Sequence, residues 1–242
     1  MGLRVAGILV VPLIWAVLSG LHVVPARALP SPFSVYASLA AQSDTLGLNF
    51  ALTVERAFLG YAVGCAAGIV AVLVMGWSRA LRGLAEPVIL LLRPVPPLAL
   101  APFAILWFGI DLAGVLALSS WGVFFVIVIV GLEALRSVPV VYVRAAQALG
   151  AGPGVVYRRV VLPALLPGLM GGLRVALVVA FNLTILQEFT IASGGLGEVI
   201  MRGYRYLHPP QLIGGVLCVI VTVLVLDVAF VLVRSRLLAW VE

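Results

Sequence analysis

Six long apolar runs follow one another along this chain, near residues 5–24, 53–76, 87–108, 113–132, 168–189 and 211–233. None alternates polar and apolar positions as a membrane barrel strand does, and each is about 20 residues, the length a helix needs to cross a bilayer. Inside lipid every backbone polar group must be satisfied within the protein, so the runs predict an all-α membrane protein of about six transmembrane helices. They form one domain over residues 1–242, with a long interruption at 133–166 that holds small residues, glycines and arginines. The first run has two readings. Arg4, an apolar stretch and Ala26-Arg27-Ala28 have the form of a signal peptide, yet the stretch is long for one and fits a retained span. The third run contains Arg93-Pro94-Val95-Pro96-Pro97 and then Pro102. Proline lacks the amide donor, so this helix is expected to be kinked or broken, either for packing or to line a pathway.

Composition agrees with lipid as the solvent. The 242 residues are 64% hydrophobic and 10% charged, with mean hydropathy +1.25, more apolar surface than a soluble core can bury. All fifteen basic residues are arginine and the net charge is +6. Because these arginines flank apolar runs, topology and anionic lipid head groups account for them better than nucleic acid. With the N-terminus in the cytoplasm, Arg4, Arg79, Arg82, Arg136, Arg144, Arg158, Arg159, Arg234 and Arg236 all face inward. Arg27, Arg56, Arg202 and Arg205 fall on or near the other side. That asymmetry is the positive-inside pattern, and an even number of spans returns the C-terminus to the cytoplasm. Cys65 and Cys218 lie inside apolar runs, which suits packing rather than a disulfide or metal site.

The interruption at 133–166 is then cytoplasmic, and 25–50 and 190–210 are external. Within the interruption, residues 144–163 read as a short helix that breaks at Gly150, restarts near Pro153, carries Arg158 and Arg159, and stops at Pro163. This is the design of a rigid knob shown to a soluble partner. Other chemistry is sparse. The fifth run carries Asn182, Thr184, Gln187 and Glu188, and polar groups at that depth tend to face a bundle interior or aqueous cavity. Phe181, Thr184 and Glu188 fall on one helical face by spacing. Glu188 either orders a gate, by accepting hydrogen bonds near the turn at Ser193–Gly197, or makes a structural pair near the external interface. Arg93 and Arg174 are expected near the cytoplasmic ends of their spans, snorkelling to water or drawing an anion inward. Asp227 is expected to pair with a basic neighbour. Ser119, Ser120, His208 and Asp227 form no nucleophile or metalloprotease motif, so no catalytic residue is assigned. A chain without lysine has no phosphate-binding Gly-x-x-x-x-Gly-Lys loop, so any nucleotide hydrolysis belongs to another polypeptide.

The spacing at 144–163 resembles that of the membrane subunits of type I binding-protein-dependent ABC importers. Their cytoplasmic signature runs Glu-Ala-Ala, three residues, Gly, nine residues, Ile-x-Leu-Pro, and here Ala145-Ala146, Gly150, Val160, Leu162 and Pro163 keep it. Arg144 departs, standing where Glu is usual. Further segments are similar to the branch that imports sulfonates, taurine, nitrate and related small anions. They are Gly76-Trp77-Ser78-Arg79, Leu92 to Ala99, Ile105 to Ile110, Gly172 to Ala176 and Ser193 to Gly197, with Glu188 also matching. The likeness runs from about residue 50 to the C-terminus.

The resemblance implies a permease fold with a cytoplasmic coupling helix, set in a bacterial inner membrane. It implies a second permease copy (homodimer, or a sister subunit), two cytoplasmic ATPase subunits holding ATP and Mg, and an external solute-binding protein. It places docking at Arg144, Ala145, Ala146, Gly150, Gly154, Tyr157, Arg158, Arg159, Leu162 and Pro163. The path or gate would use Arg93, Pro94, Pro96, Pro97, Phe181, Thr184, Gln187, Glu188, Ser193 and Gly195. The imported solute stays open between sulfonate, taurine or nitrate and a vitamin or pyrimidine. An ion-coupled secondary transporter using Glu188 and Asp227 is the rival from another class.

Overall fold

Glycines at four-residue spacing set the centre of the molecule. The structure, a computed structural model, describes residues 2–21, 23–190 and 194–237. Helix α3 (Ser43–Trp77) packs along α6 (Leu112–Ser137) through Gly60, Gly64 and Gly68. A β-carbon at these positions would lie 2.6, 2.6 and 2.8 Å from the β-carbons of Ser119, Val123 and Ile127. One turn further the roles exchange, Gly131 of α6 receiving Val72, and a turn beyond that Gly76 of α3 again receives a residue of α6, Leu135. Small residues let two backbones approach where lipid supplies no hydrophobic drive between helices.

Residue numbers rise together along this seam, so α3 and α6 run parallel. The chain between them must therefore return across the membrane. That return is α4 (Arg79–Leu92), a 3₁₀ turn (Pro97–Leu100) and α5 (Ala101–Phe108), bent by 85°. The third span is thus broken at its prolines, and it begins at Arg79 rather than near 87. Ser78 caps α4 by accepting from the Leu81 amide, and Arg136 pairs with Glu86.

The fifth span is longer than its apolar run. Helix α8 (Pro153–Val156) passes through one π turn (Tyr157–Val161) into α9 (Leu162–Glu188), giving continuous helix over Pro153–Glu188. Pro163 therefore does not end the docking segment. It lies just past the π turn, where the widened hydrogen-bond pattern, including the Leu162 amide on the Tyr157 carbonyl, accommodates a residue with no donor. Helix α9 runs antiparallel to α3: Leu177 and Phe181 cluster with Ala57, and the Tyr61 hydroxyl donates to the Leu173 carbonyl.

Helix α11 (Pro209–Leu237) lies outside this trio, largely exposed along its length. Val223, Leu226 and Phe230 reach the Ala57–Leu177–Phe181 cluster, and Gly215 lets it close on Ile200 of α10 (Leu196–Arg205). Helix α2 (Pro32–Ala41), which the apolar runs did not predict, sets Leu39 against Gly214. Helix α1 (Gly2–Gly20) has 19 residues, about 28 Å at 1.5 Å per residue. Among the described residues four helices are long and apolar enough to cross a membrane, and the bent pair, taken as one span, makes a fifth. The arginine-flanked ends of α3, α6 and α11 lie together at one end of the bundle.

Candidate functional site

At the arginine-rich end, α7 (Val140–Ala148) stands out of the bundle with no buried residue. Its end is a Schellman turn: the Gly150 amide donates to the Gln147 carbonyl at 2.9 Å and the Ala151 amide to Ala146 at 3.0 Å. The turn needs a left-handed residue, and Gly150 supplies φ +82. Arg144, Ala145, Gly150, Arg158 and Arg159 are exposed, Ala146 half-buried, and Leu149 keeps 89% of its surface. Among the described residues Arg144, Arg158 and Arg159 form no ion pair.

The knob is fixed to the bundle by Tyr157. Its hydroxyl donates to the Leu73 carbonyl at 2.7 Å, and its ring meets Trp77 edge-on at 5.3 Å. Gly154 lies beside Trp77, with room for its indole 3.7 Å from where a β-carbon would stand. Leu162 and Pro163 are half-buried at the start of α9. The knob is therefore welded at one point to α3 and continuous with α9.

At the opposite end a buried clasp ties α3, α9 and α10. Glu188, whose side chain is wholly buried, accepts from Thr53 Oγ1 at 2.9 Å to both oxygens, from Arg56 Nη1 at 3.1 Å and from the Gly197 amide at 2.9 Å. Thr53 accepts in turn from the Leu196 amide at 2.8 Å, and Asn49 Oδ1 from the Gly195 amide at 2.7 Å. Arg56 also donates to the Gly194 carbonyl at 3.0 Å. Gly194 and Gly195 take φ +79 and +100, and a side chain at Gly195 would enter the Glu188 carboxylate. The structure thus brings Glu188 and Gly195 together. Ser193 lies outside the described residues. Glu198 closes the turn by accepting from the Gly194 amide, and its hydrogen bond from Arg202 holds its carboxyl below the ordinary value.

The remaining polar residues of α9 divide between two faces. Phe181, edge-on to Phe58 at 6.0 Å, faces α3 as Glu188 does. Thr184 faces α6, 3.4 Å from the Ser119 hydroxyl, and Gln187 donates to that hydroxyl at 3.0 Å. Phe181, Thr184 and Glu188 lie within about 60° of one another around the helix, and that arc meets two neighbours, α3 at Phe181 and Glu188 and α6 at Thr184. All four are buried between helices. Ser119, His208 and Asp227 do not assemble.

Asp227 takes both hydrogen bonds of Arg174, from Nε at 2.6 Å and Nη2 at 2.7 Å. Arg174 is therefore held between α9 and α11 in a bidentate pair, not snorkelling free. Arg93 is also displaced from expectation. It follows the last residue of α4 and, with Pro97, lines a cavity of about 410 Å³ walled by Trp121 to Val130 of α6. That puts it midway along the bundle, because the prolines turn the chain before it reaches the far side. Pro94 and Pro96 are exposed in the break.

Sequence reasoning missed Asn49, Thr53 and Arg56. Their four- and three-residue spacing places them on one face at the start of an apolar run, a polar stripe that was there to be read.

The family described as binding-protein-dependent transport system inner membrane component matches residues 60–241. The taurine transport system permease protein of Escherichia coli (strain K12) is 30% identical over 234 residues, 94% of this chain and 85% of that protein. The putative aliphatic sulfonates transport permease protein of Bacillus subtilis (strain 168) is 29% identical over 230 residues, 94% and 83% of the two chains. A chain of the MetNI methionine ABC transporter, crystallised in an inward-facing conformation, superposes with TM-score 0.60 at 21% identity, covering 85% of this chain and 98% of that one. The fold is that of a type I importer permease.

Proposed function

This chain belongs to the family of binding-protein-dependent transport system inner membrane components, and we propose that it passes small organic anions of the sulfonate class into the cytoplasm. It is a permease subunit, with ATP hydrolysis carried out by separate subunits. The observation that carries the working reading is the continuous helix from the docking knob to the clasp. Residues Pro153–Glu188 span 36 residues, about 54 Å at 1.5 Å per residue. A rigid rod of that length, pinned to α3 at Tyr157 and at Glu188, passes a displacement of the knob to the far end without local unfolding.

In this reading the arginine-rich end and both termini face the cytoplasm, by the positive-inside pattern. The exposed face of α7, with Leu149 and Arg144 outermost, docks into an ATPase subunit that binds ATP and Mg. A second copy of the chain completes the pathway, with one ATPase subunit per copy, and an external binding protein delivers the solute near the clasp. Closure of the ATPase pair moves the two knobs, and the rods exchange inward for outward access. The sulfonate class is supported by the two relatives named for taurine and aliphatic sulfonates, each aligned with 94% of this chain.

The experiment is reconstitution of the chain with its ATPase and binding protein, followed by a solute screen for stimulated ATP hydrolysis. A sulfonate that raises turnover only when all three are present is the expected result. Uptake that proceeds without the ATPase would overturn the reading.

A further inference from the structure

The arginines that reach into the bundle are matched to acids: Arg56 to Glu188 and Arg174 to Asp227. Arg93 is different. It is exposed and lines the 410 Å³ cavity at the α4 break, halfway along α6, and its side chain makes no ion pair or hydrogen bond among the described residues. An exposed, unpaired charge at that depth is costly against lipid and is tolerated where it faces a water-filled path, so such residues mark ion or substrate pathways. The rest of the lining is almost wholly apolar, including Phe125, Ile129 and Leu183, and contains no carboxylate. The other polar side chain in it is Trp121, whose buried Nε1 donor has no acceptor.

A cavity with one cation, one unused donor, apolar walls and no acid suits a ligand with an acceptor-only anionic head and a short hydrocarbon body. Its volume falls within the range of small-molecule sites, roughly 300–1,000 Å³. We propose that this cavity is an anion subsite inside the membrane, in which Arg93 holds a sulfonate head group and Phe125, Ile129 and Leu183 take the alkyl chain. The inference rests on reading the chain as a sulfonate permease, and adds that the permease itself discriminates. An ammonium on the ligand has no carboxylate to meet here and is repelled by the guanidinium, so the subsite prefers ethanesulfonate to the zwitterion taurine, from which it differs by that one group.

The test uses the permease–ATPase complex in lipid nanodiscs without the binding protein, with direct binding of 1-butanesulfonate, uncharged butane-1-sulfonamide, ethanesulfonate and taurine. Losing a charge-assisted hydrogen bond predicts that Arg93→Gln weakens butanesulfonate binding by about tenfold or more, and Arg93→Lys by less. The sulfonamide is expected not to compete, and ethanesulfonate to bind more tightly than taurine. If Arg93→Gln does not assemble, the ethanesulfonate–taurine comparison on the unaltered complex decides. Equal binding to Arg93→Gln, equal binding of the sulfonamide, or no binding of any probe to the unaltered complex overturns the subsite. Sulfonate transport by the full system with any of those results removes the subsite and leaves the permease reading standing. Arg93-dependent anion binding in a system that transports no sulfonate does the reverse.

Discussion

Removing the carboxylate of Glu188 is the sharpest perturbation of the clasp. Its two oxygens receive Thr53, Arg56 and the Gly197 amide, and its side chain has no exposed surface. Glu188→Ala takes the acceptor from a guanidinium that is itself 11% exposed and orphans a buried backbone amide. Breaking a buried pair by deleting one partner costs about 3–5 kcal/mol. Glu188→Gln keeps one acceptor oxygen but turns an amide toward a donor, which costs about 1–3 kcal/mol. At roughly 2–4 °C per kcal/mol for a chain of this size, the alanine variant should unfold roughly 6–20 °C lower and the glutamine variant between it and the parent. Thermal unfolding of the complex in nanodiscs reads the first effect, and solute-stimulated ATP hydrolysis the second. A double variant, Arg56→Met with Glu188→Leu, removes the desolvated charges together and should recover part of the stability. It should not recover coupling, because the turn at Gly194–Gly197 loses its bonds to Arg56 and Glu188 and keeps only those to Asn49 and Thr53. An alanine variant melting within about 2 °C of the parent would refute the reasoning, since the same hydrogen bonds would then be worth under about 1 kcal/mol.

Three further outcomes follow from the same geometry. Gly64→Val should separate α3 from α6, because even a β-carbon there would sit 2.6 Å from Val123 Cβ and 2.7 Å from the Ser120 carbonyl; loss of the monodisperse gel-filtration peak is the readout. Asp227→Asn should loosen α11 by halving the bidentate pair with Arg174, seen as faster proteolysis or hydrogen exchange in α11, and Asp227→Ala more so; unchanged exchange would mean the apolar contacts suffice. Arg144→Glu, which reverses the charge of the exposed knob, should weaken assembly with the partner ATPase, measured by co-purification and by coupled ATP hydrolysis; no change would exclude a charge contact at that position.

The apolar runs located the crossings because a bilayer imposes length and apolarity on a local stretch of chain. They did not locate the ends. Helix α3 starts ten residues before its run, because its first turns are largely exposed and carry polar residues that the bilayer's demand for apolarity does not reach. The docking segment was legible as a break at Gly150, where a local left-handed turn is demanded, and misread at Pro163, where a π turn absorbs the proline within the helix. Thr53 and Glu188 lie 135 residues apart, and nothing in local spacing says which polar residue will meet which. The parallel packing of α3 and α6 was written in Gly60, Gly64 and Gly68, a small-residue period that signals close approach without naming the partner.

The π turn at Tyr157–Val161 has a consequence for how such permeases diverge. A π turn holds one residue more than the α-helical turn it replaces, and each residue of an α-helix advances the chain by about 100° around its axis. Deleting one residue there would leave a regular helix, but would swing Leu149 and Arg144 to a different azimuth beneath the bundle. The direction in which the knob faces its ATPase is therefore set by a single surplus residue, and a one-codon change can re-aim the machine at the cost of the Tyr157 contacts with Leu73 and Trp77, while the packing of α9 beyond the turn is kept.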